Sequence, residues 1–426
     1  MTFTIVRSSG IMVQPSEPTP SGMLNLSVID KSRSGVNLSI LFVFKHGHEA
    51  ANVIKEALSK ALVSYYPIAG RVKESSNGEL QVACTAQGVW FVEASANCSL
   101  DSVNYFDNIH LVQNDELLPT PPPETTDTDD PFMQFQVTHF TCKGFSIGLK
   151  FNHRICDGFG LGQFLNAVGE FARGFQHPKI APVWKREAIP APTWMVCAPG
   201  VPKALPPPPP PPTPDYDLQH AYIDISIEQI SKLKNEFVDL TGEICSTFEV
   251  VTASIWRFRT RAIDLEKHTN VTLAFGEDVR QLLDPPLPEG FYGNCFFPVV
   301  VRVSSGWLTE ASNAEVVKLI KDAKARLPTE FTKWLKSDEM DDSFAYSLNY
   351  TTLIMSPWHK VGFNQVDCGW GPAVHILPVD GFNILPVAAV GFPPAPTKSI
   401  RLTTWCVNTP HLPALLHYYR DFDVTA

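Results

Sequence analysis

The chain has 426 residues, of which 44% are hydrophobic and 18% are charged, and its formal net charge is −10. This composition is typical of a globular protein and excludes extended disorder, and the length suggests about two domains. The acidic balance argues against nucleic acid as a partner, because phosphate binding requires a basic surface, although a single basic pocket for a phosphorylated cosubstrate is compatible with it.

The sequence also bears on the compartment. The N-terminal segment MTFTIVRSSGIMVQPSEP has no charged region followed by an apolar core, so it does not resemble a secretory signal. No apolar run approaches the roughly 18 residues that a membrane-spanning helix needs. The nine cysteines contain no CxxC pair and are odd in number, which indicates reduced thiols. The predicted location is the cytoplasm, without membrane association.

The first elements along the chain are a helix and a pair of strands. Apolar residues at helical spacing over 53–65 predict a helix that Pro67 ends. The segment GELQVACTAQGVWFVEA at 78–94 predicts a β-hairpin with its turn near Gly88.

A loop and two further strands follow. Residues 115–131 are rich in proline and acidic side chains and predict a solvated loop. Segments 133–140 and 145–152 predict paired strands, because apolar side chains alternate in the second and a short turn containing Gly144 joins them.

Residues 187–214 differ in composition from the rest of the chain. They include seven consecutive prolines, Pro206 to Pro212, which adopt the polyproline II conformation for steric reasons. The interpretation is a stiff linker between a domain at 1–186 and a domain at 215–426. The alternative is a docking segment for aromatic-lined modules.

Capping boxes open three helices after this segment. They are Ser226–Gln229, Ser246–Glu249 and Ser312–Glu315. The first helix is expected to close at Gly242, and the third at Leu327 because Pro328 follows it. Strands are predicted at 271–275 and 295–303. Helices and strands on both sides of the linker predict an α/β or α+β chain in two parts.

His153 is followed four residues later by Asp157 and then by Gly158. This HxxxD pattern is weak evidence, because about half of chains of this size contain one by chance. The position of the motif strengthens the evidence that His153 is functional. A predicted strand ends at Asn152 and a glycine-rich start of a helix follows, and strand ends that enter loops often carry reactive side chains.

The residues alone leave three interpretations of His153: a base oriented by Asp157, a metal ligand, or a structural histidine. Four residues on a tight loop rarely let a carboxylate reach the imidazole, so Asp157 is expected to fix the loop by pairing with an arginine. A metal site is disfavoured because no third ligand has a recognisable spacing. A serine nucleophile is disfavoured because the sequence has no GxSxG motif.

Five short motifs spread over nearly the whole chain change this assessment. They are LSVID at Leu26–Asp30, YPIAGR at Tyr66–Arg71, HRICDG at His153–Gly158, YGN at Tyr292–Asn294 and DCGWG at Asp367–Gly371. In this order and spacing they resemble the plant BAHD family of acyl-CoA-dependent acyltransferases. The resemblance implies two similar domains of mixed sheet and helix, as in chloramphenicol acetyltransferase. It also implies that 187–214 is the crossover segment and that the active-site channel lies at the domain interface.

The resemblance implies transfer of an acyl group from acyl-CoA to a hydroxyl of a plant specialised metabolite. His153 would be the general base in a ternary complex, without a covalent acyl-enzyme. A neutral imidazole, with a reference pKa of about 6.5, suits removal of the alcohol proton at cytosolic pH. Acyl-CoA would be a cosubstrate, with no permanently bound cofactor and no metal. Such enzymes are usually cytosolic monomers.

The resemblance also assigns structural roles. It pairs Asp157 with Arg280, in Glu277–Arg280, so that the pair holds the histidine loop. The residues expected to be architectural are Gly158, Asp367, Gly369, Trp370 and Gly371. The sequence departs from the family at Cys368, where phenylalanine is usual, and this puts the local packing in doubt.

Five residues are candidates for the CoA or substrate pocket. Ser246 and Thr247 cap a helix, and the resemblance adds contact with CoA, because a helix N-terminus favours phosphate or carbonyl oxygens. Trp358, in a segment with Ser356, either walls the acyl channel or is a core aromatic residue. Asn294 either lies near the acceptor or has a structural role at a strand end.

The LSVID and GFYGN segments look like the branch that includes monolignol hydroxycinnamoyl transferases and taxane acyl- and aroyltransferases. This favours an aromatic donor such as p-coumaroyl-, feruloyl- or benzoyl-CoA, with acetyl-CoA or an amine acceptor as alternatives. A non-catalytic family member that binds a ligand or a partner is another hypothesis, against which the intact His153 argues. A peptide-synthetase-like condensation enzyme also carries HxxxDG, but the lack of a carrier domain and the DCGWG motif argue against it.

Overall fold

The structure is a computed structural model and describes residues 3–32, 37–107, 115–123, 130–193, 216–337, 349–380 and 385–420. The proline run and much of the remaining 187–214 segment lie outside these residues. The linker interpretation and its alternative as a docking segment therefore stay predictions.

The described residues form strands and helices in mixed order. The strands are β1 (Ile5–Arg7), β2 (Ile11–Val13), β3 (Gly22–Asn25), β4 (Asn37–Phe44), β5 (Arg71–Glu74), β6 (Leu80–Cys84), β7 (Val89–Ala96), β8 (Met133–His139), β9 (Phe145–Asn152), β10 (Leu218–Ser226), β11 (Asn270–Asp278), β12 (Phe296–Ser304), β13 (Thr352–Ser356), β14 (His375–Asp380), β15 (Val387–Gly391) and β16 (Ser399–Asn408). The α-helices are α1 (Val28–Lys31), α2 (Ala50–Ser64), α3 (Gly158–Ala172), α4 (Ile227–Thr241), α5 (Thr247–Ile263), α6 (Ser305–Glu310), α7 (Asn313–Lys336) and α8 (Leu412–Arg420).

The first large sheet has the strand order β1-β7-β8-β9-β4-β14, and β2 also pairs with β7. The predicted pairing of β8 with β9 is present and antiparallel. Helices α2 and α3 pack together on one face of this sheet, where buried side chains such as Phe42, Leu58 and Leu165 form one core. A second core, which includes Leu117 and Leu118, covers the opposite face. The loop predicted as solvated at 115–131 is therefore partly buried.

The hairpin predicted over residues 78–94 is wrong. Both strands exist, but β6 pairs with β3 and β5 in a small sheet, whereas β7 pairs with β1, β2 and β8. Gly88 lies between them at φ +87°, and its N–H donates to the carbonyl of Ala69. The turn thus directs the chain from one sheet into another. Alternation identifies strands but does not select their partners.

The second large sheet has the order β10-β16-β15-β13-β11-β12. Its core includes Val251, Trp256 and Ile320 from the helices. The three predicted capping boxes are all present, and Gly242 ends α4 in the left-handed conformation at φ +72°. The predicted fold class, α/β with mixed sheet and helices in two parts, is confirmed.

The predicted end of the third helix is wrong, because α7 continues through Pro328 to Lys336. A proline inside a helix removes one hydrogen bond and strains the preceding turn. Phe331 and Trp334 lie beyond it and place their rings 5.3 and 5.4 Å from the ring of Phe297. The packing of these two rings holds the part of the helix that follows the proline.

Strand β14 belongs to the first sheet although β13 and β15, its neighbours in sequence, belong to the second. β14 pairs antiparallel with β4, and β13 pairs with β15. The chain therefore crosses from the second sheet to the first and returns. The sequence-based limits at 1–186 and 215–426 do not anticipate this exchange and stay a prediction. Along the described ranges, no helix combines the length and apolar character needed to cross a bilayer.

Candidate active site

His153 lies immediately after β9, at the start of residues 153–157, which we call the histidine loop. β9 has a partner strand on each side, so its end is firmly placed. The half-buried imidazole lies 5.9 Å from the ring of Phe151 and 6.1 Å from the ring of Phe296, measured between ring centroids. Phe296 begins β12 of the second sheet. The imidazole therefore lies where the two parts of the molecule meet.

Asp157 ends the histidine loop and is the N-cap of α3. Its Oδ1 accepts a hydrogen bond from the N–H of Gly160 at 2.9 Å, which satisfies a free donor of the first helical turn. Both carboxylate oxygens accept from Nη2 of Arg280 at 2.9 Å, and the N–H of Cys295 donates to Oδ2 at 3.1 Å. The contact between Asp157 and Arg280 that the resemblance implies is present, and the carboxylate joins the loop to the second part of the molecule.

The side chain of Arg280 connects Asp157 to two further residues of the second part of the molecule. It also donates to the carbonyl of Gly293 at 2.7 Å and to Oδ1 of Asp278 at 3.0 Å. Burial disfavours the cation, but the charge of Asp157 and then that of Asp278 outweigh burial and raise the pKa of Arg280 above its ordinary value. Arg280 therefore stays charged. Removing one partner would leave a buried charge uncompensated, which typically costs about 3–5 kcal/mol.

The glycines after the histidine loop serve close packing. A Cβ on Gly160 would lie 1.9 Å from the carbonyl oxygen of Tyr292, and one on Gly162 would lie 1.9 Å from the carbonyl oxygen of Val361. A Cβ on Gly158 would meet the side chain of Val361 at 2.9 Å. Glycine at these positions lets α3 approach two backbone segments directly. Close packing of α3 against these segments therefore explains glycine at all three positions.

Asn294 is fully buried and braces the histidine loop from behind. Its Nδ2 donates to the carbonyl of His153 at 2.8 Å and to Oδ1 of Asp30 at 2.8 Å, and its N–H donates to the same Oδ1 at 3.1 Å. Of the two roles weighed from the sequence, these contacts favour the structural one.

Sequence reasoning missed two residues of this region. Asp30 is fully buried, and its Oδ2 accepts from Nε of Arg186 at 3.3 Å. Nη2 of Arg186 donates to the carbonyl of Ile155 in the histidine loop at 2.7 Å. The signal in the sequence is the acidic residue that follows the apolar Val28 and Ile29 in the LSVID motif, since a buried carboxylate requires partners.

Cys156 is the buried thiol of the histidine loop. Burial and then the adjacent Asp157 charge raise its pKa well above the ordinary value, so the thiol stays protonated. It is therefore a packing residue and not a nucleophile. Among the described residues, no cluster of three or more His, Cys, Asp or Glu side chains is arranged to hold a metal ion.

The N-terminus of α5 carries Ser246 and Thr247. Ser246 is the N-cap, and its capping box with Glu249 satisfies donors at this end. Nζ of the half-buried Lys234 donates to Oγ1 of Thr247 at 2.9 Å, and the exposed Lys360 lies 5.2 Å from the neighbouring ring of Phe248. Two lysines and a helix N-terminus thus form a local basic site in an acidic chain.

Trp358 lies just after β13 and lines a cavity between β14 and β15. The ring of Trp358 packs edge to face on Phe363 at 5.6 Å, and His359 and Phe392 also line this cavity. Ser356 is the last residue of β13 and lies outside the lining. The cavity is walled mainly by aromatic and apolar side chains, which suits a flat apolar group.

The DCGWG segment forms a turn that its own carboxylate closes. Oδ1 of Asp367 accepts from the N–H of Gly369 at 2.7 Å and of Gly371 at 2.9 Å, and both glycines have positive φ. Trp370 packs edge to face on Phe145 of β9 at 5.5 Å. Cys368 is buried in the same core. The turn supports the sheet that carries His153, as an architectural role requires.

A family model described as the Transferase family matches residues 2–382. The chain belongs to this family, the plant BAHD acyltransferases that its motifs resemble, and it is an acyltransferase.

Curated relatives extend over most of the chain. It is 42% identical to Acyl transferase 4 of Oryza sativa subsp. japonica, covering 99% of this chain and 100% of that protein. It is 37% identical to myricetin 3-O-glucosyl 1,2-rhamnoside 6'-O-caffeoyltransferase AT2 of Crocosmia x crocosmiiflora, with coverage of 99% and 100%. It is 34% identical to taxadien-5-alpha-ol O-acetyltransferase of Taxus chinensis, with coverage of 87% and 85%.

Solved structures share the fold at lower identity. Vinorine synthase matches with a TM-score of 0.72 at 19% identity, covering 96% of both chains. The F. sporotrichioides protein TRI101, complexed with coenzyme A and T-2, matches with a TM-score of 0.69 at 14% identity, covering 93% of this chain and 97% of that one.

Proposed function

We propose that the protein transfers an acyl group from acyl-CoA to a hydroxyl of a plant specialised metabolite, with His153 as the general base. The observation that carries the proposal is the placement of His153. A half-buried imidazole lies where the two parts of the molecule meet, on a loop held by the buried pair of Asp157 and Arg280. A fixed base at a domain interface suits a reaction between two separate substrates.

The proposed reaction needs one proton acceptor and no covalent intermediate. The imidazole of His153 takes the proton from the acceptor hydroxyl as its oxygen attacks the thioester carbonyl. The C–O bond forms and the carbonyl becomes a tetrahedral oxyanion. Collapse of the oxyanion breaks the C–S bond, and the departing thiolate receives the proton from the imidazolium. The products are the ester and free CoA, and the base is regenerated.

The N-terminus of α5 is the proposed contact for CoA. Its free N–H groups, Ser246, Thr247 and the amines of Lys234 and Lys360 suit a polyphosphate ligand. A structural neighbour with the same fold was crystallised with coenzyme A, which supports CoA as a ligand of this fold.

The proposed donor is an aromatic acyl-CoA. The cavity beside Trp358 has aromatic walls, and one relative is named a caffeoyltransferase. Another relative is named an O-acetyltransferase, so an acetyl donor is the second candidate. An amine acceptor is the further alternative. A cytoplasmic monomer without a permanently bound cofactor remains the expected form.

The test is release of free CoA. Purified protein is incubated with p-coumaroyl-, feruloyl-, caffeoyl-, benzoyl- or acetyl-CoA and a panel of monolignols, flavonol glycosides and amines, and thiol and product mass are measured. We expect ester formation with at least one aromatic donor. We expect His153→Ala to lower kcat at least about 100-fold, as loss of a general base does. His268→Ala, on the exposed surface, is the control.

Two results would contradict the proposal. Turnover that persists in the folded His153→Ala variant would exclude this histidine as the base. Binding of acyl-CoA without turnover for any donor and acceptor pair would favour the non-catalytic alternative. Faster turnover with acetyl-CoA than with every aryl donor would reject the aromatic assignment alone.

A further inference from the structure

We propose that Asp30 is a positioning residue for His153 and that it acts through Asn294 and Arg186. The carboxylate of Asp30 accepts hydrogen bonds from Asn294 and Arg186. It orients two donors that hold the backbone of the histidine loop, and so it fixes where the imidazole lies. The proposal rests on the proposed function of His153.

The first connection runs through Asn294. Oδ1 of Asp30 accepts from both the N–H and Nδ2 of Asn294, at 3.1 and 2.8 Å. Nδ2 has two hydrogens, and it also donates to the carbonyl of His153 at 2.8 Å. The carboxylate therefore sets which way the amide of Asn294 points. With the amide reversed, its oxygen would face the carbonyl of His153 and repel it.

The second connection runs through Arg186. Its guanidinium is 1% exposed and stacks 3.7 Å from the centroid of the Trp184 ring. Nε donates to Oδ2 of Asp30 and Nη2 donates to the carbonyl of Ile155 at 2.7 Å. A cation excluded from water requires a nearby negative charge, and Asp30 supplies it. The carbonyls of His153 and Ile155 are thus held by donors that share one carboxylate.

This arrangement differs from the pair of Asp157 and Arg280. Asp157 anchors the helical end of the histidine loop, whereas Asp30 anchors the end that carries His153. The two systems meet at three consecutive residues. Gly293 accepts from Arg280, Asn294 donates to Asp30, and Cys295 donates to Asp157. Each carboxylate has its own donors, so the two ends can be perturbed separately.

The expected consequence concerns the position of the base. A catalytic group must stay within about 0.5 Å of its productive position. With Asp30→Asn the side chain keeps its shape but loses the charge that Arg186 requires. Its NH2 group must face donors on one side or the other, either those of Asn294 or those of Arg186 and Ser27. We expect kcat for transfer to fall about 10- to 100-fold. The KM for acyl-CoA should change less than about threefold, since the N-terminus of α5 is unaffected.

The decisive measurement is the ratio of thioester hydrolysis to acyl transfer. It is taken with the fastest donor and acceptor pair of the panel described above. A displaced imidazole activates water as readily as the acceptor, so the ratio should rise at least about threefold in Asp30→Asn. This ratio does not depend on the fraction of folded protein, and a purely structural role would leave it unchanged.

The matched control is Asp224→Asn. It removes a carboxylate that accepts from Arg401 at 2.6 and 2.7 Å, outside the proposed site. We expect it to lower the melting temperature and to leave the ratio unchanged. Asn294→Ser is the second variant, because it is neutral and keeps the pair of Asp30 and Arg186. We expect Asn294→Ser to raise the ratio of hydrolysis to transfer. If Asp30→Asn does not fold, Asn294→Ser alone tests the positioning role.

An unchanged ratio and an unchanged kcat per folded molecule in these variants would overturn the positioning role. So would a change that Asp224→Asn reproduces. A wild-type protein whose transfer does not depend on His153 would instead overturn the proposed function, so the two failures are distinguishable.

Discussion

The proposed reaction uses two regions: the histidine loop, which carries the general base, and the N-terminus of α5, which would contact CoA. Their charged groups differ in burial. The loop is held by buried carboxylates, with 5% of the Asp157 side chain and none of Asp30 exposed. The basic site at α5 uses the half-buried Lys234 and the exposed Lys360. A catalytic base must be held in one position, whereas a cosubstrate that dissociates after each turnover can be bound by solvent-exposed, mobile charges. Mutations should therefore damage the two regions in different ways.

The largest effect is expected from Asp157→Asn. It leaves Arg280 buried without its main counter-charge, which should lower the free energy of unfolding by about 3–5 kcal/mol. Denaturant unfolding measures it, with His153→Ala as the comparison, because that variant should remain about as stable as the wild type. An Asp157→Asn protein with wild-type stability and abolished chemistry would make Asp157 an orienting acid for the imidazole.

A steric change should affect the loop next. In Gly160→Ala the new Cβ would lie 1.9 Å from the carbonyl oxygen of Tyr292, so α3 and the bracing segment must move apart. We expect a loss of about 1–3 kcal/mol in stability together with a lower kcat. Gly391→Ala is the control for stability only, since that glycine in β15 has open space around its Cα but lines the cavity beside Trp358. Equal stability of the two variants would mean that the close approach is not required.

Acid sensitivity should arise outside both regions. Burial lowers the pKa of His375 from its ordinary value to about 4. The hydrogen bond to the Tyr105 carbonyl acts in the opposite direction but is the smaller effect. The unfolded chain therefore binds the proton more readily between about pH 6.5 and 4. The stability contributed by the neutral ring is complete above pH 6.5 and is lost as the pH falls through this window, by at most about 1.4 kcal/mol per pH unit.

The test for His375 compares melting temperatures at pH 7.5 and pH 5. His375→Gln keeps a donor for Tyr105 and does not titrate, so its melting temperature should fall less on acidification than that of the wild type. Because His375 also lines the cavity beside Trp358, the comparison uses melting temperatures and not kinetic constants. A wild-type loss of stability that His375→Gln shares in full would assign the acid sensitivity to other groups.

The smallest effect is expected at the α5 site. Lys234→Met with Lys360→Met removes two cations near the helix N-terminus and should raise the KM for acyl-CoA about 3- to 10-fold while kcat stays within about twofold. The effect should shrink between about 0.05 and 0.5 M salt, because exposed charges are screened. Lys267→Met, on the exposed surface, is the control. A lower kcat with an unchanged KM would contradict the proposal that the α5 site binds CoA whereas the histidine loop positions the base.

Local features of the fold were predictable from the sequence because neighbouring residues determine them. The capping boxes at Ser226, Ser246 and Ser312 each place a hydroxyl three residues before a side chain that returns the hydrogen bond. The alternation in β9 likewise identified a strand that ends beside His153.

Features that depend on distant residues were not predictable in this way. Nothing in the sequence of residues 80–84 says that they pair with β3 and not with β7, because strand partners follow from packing of the whole sheet. Pro328 argues for a helix end, and only the contacts of Phe331 in the assembled core explain why the helix continues. The role of Asp30 was hidden because its partner Asn294 is 264 positions away.

The exchange of β14 affects how the chain can be made. Strand β4 is an apolar strand, and its outer edge is paired by residues 375–380. Translation proceeds from the N-terminus, so the ribosome releases β4 long before its partner. During synthesis, the unpaired edge is a template on which a second nascent chain can add a strand. A gene fragment that stops before residue 375 would leave that edge open permanently, so the two halves are better expressed as one polypeptide than as separate domains.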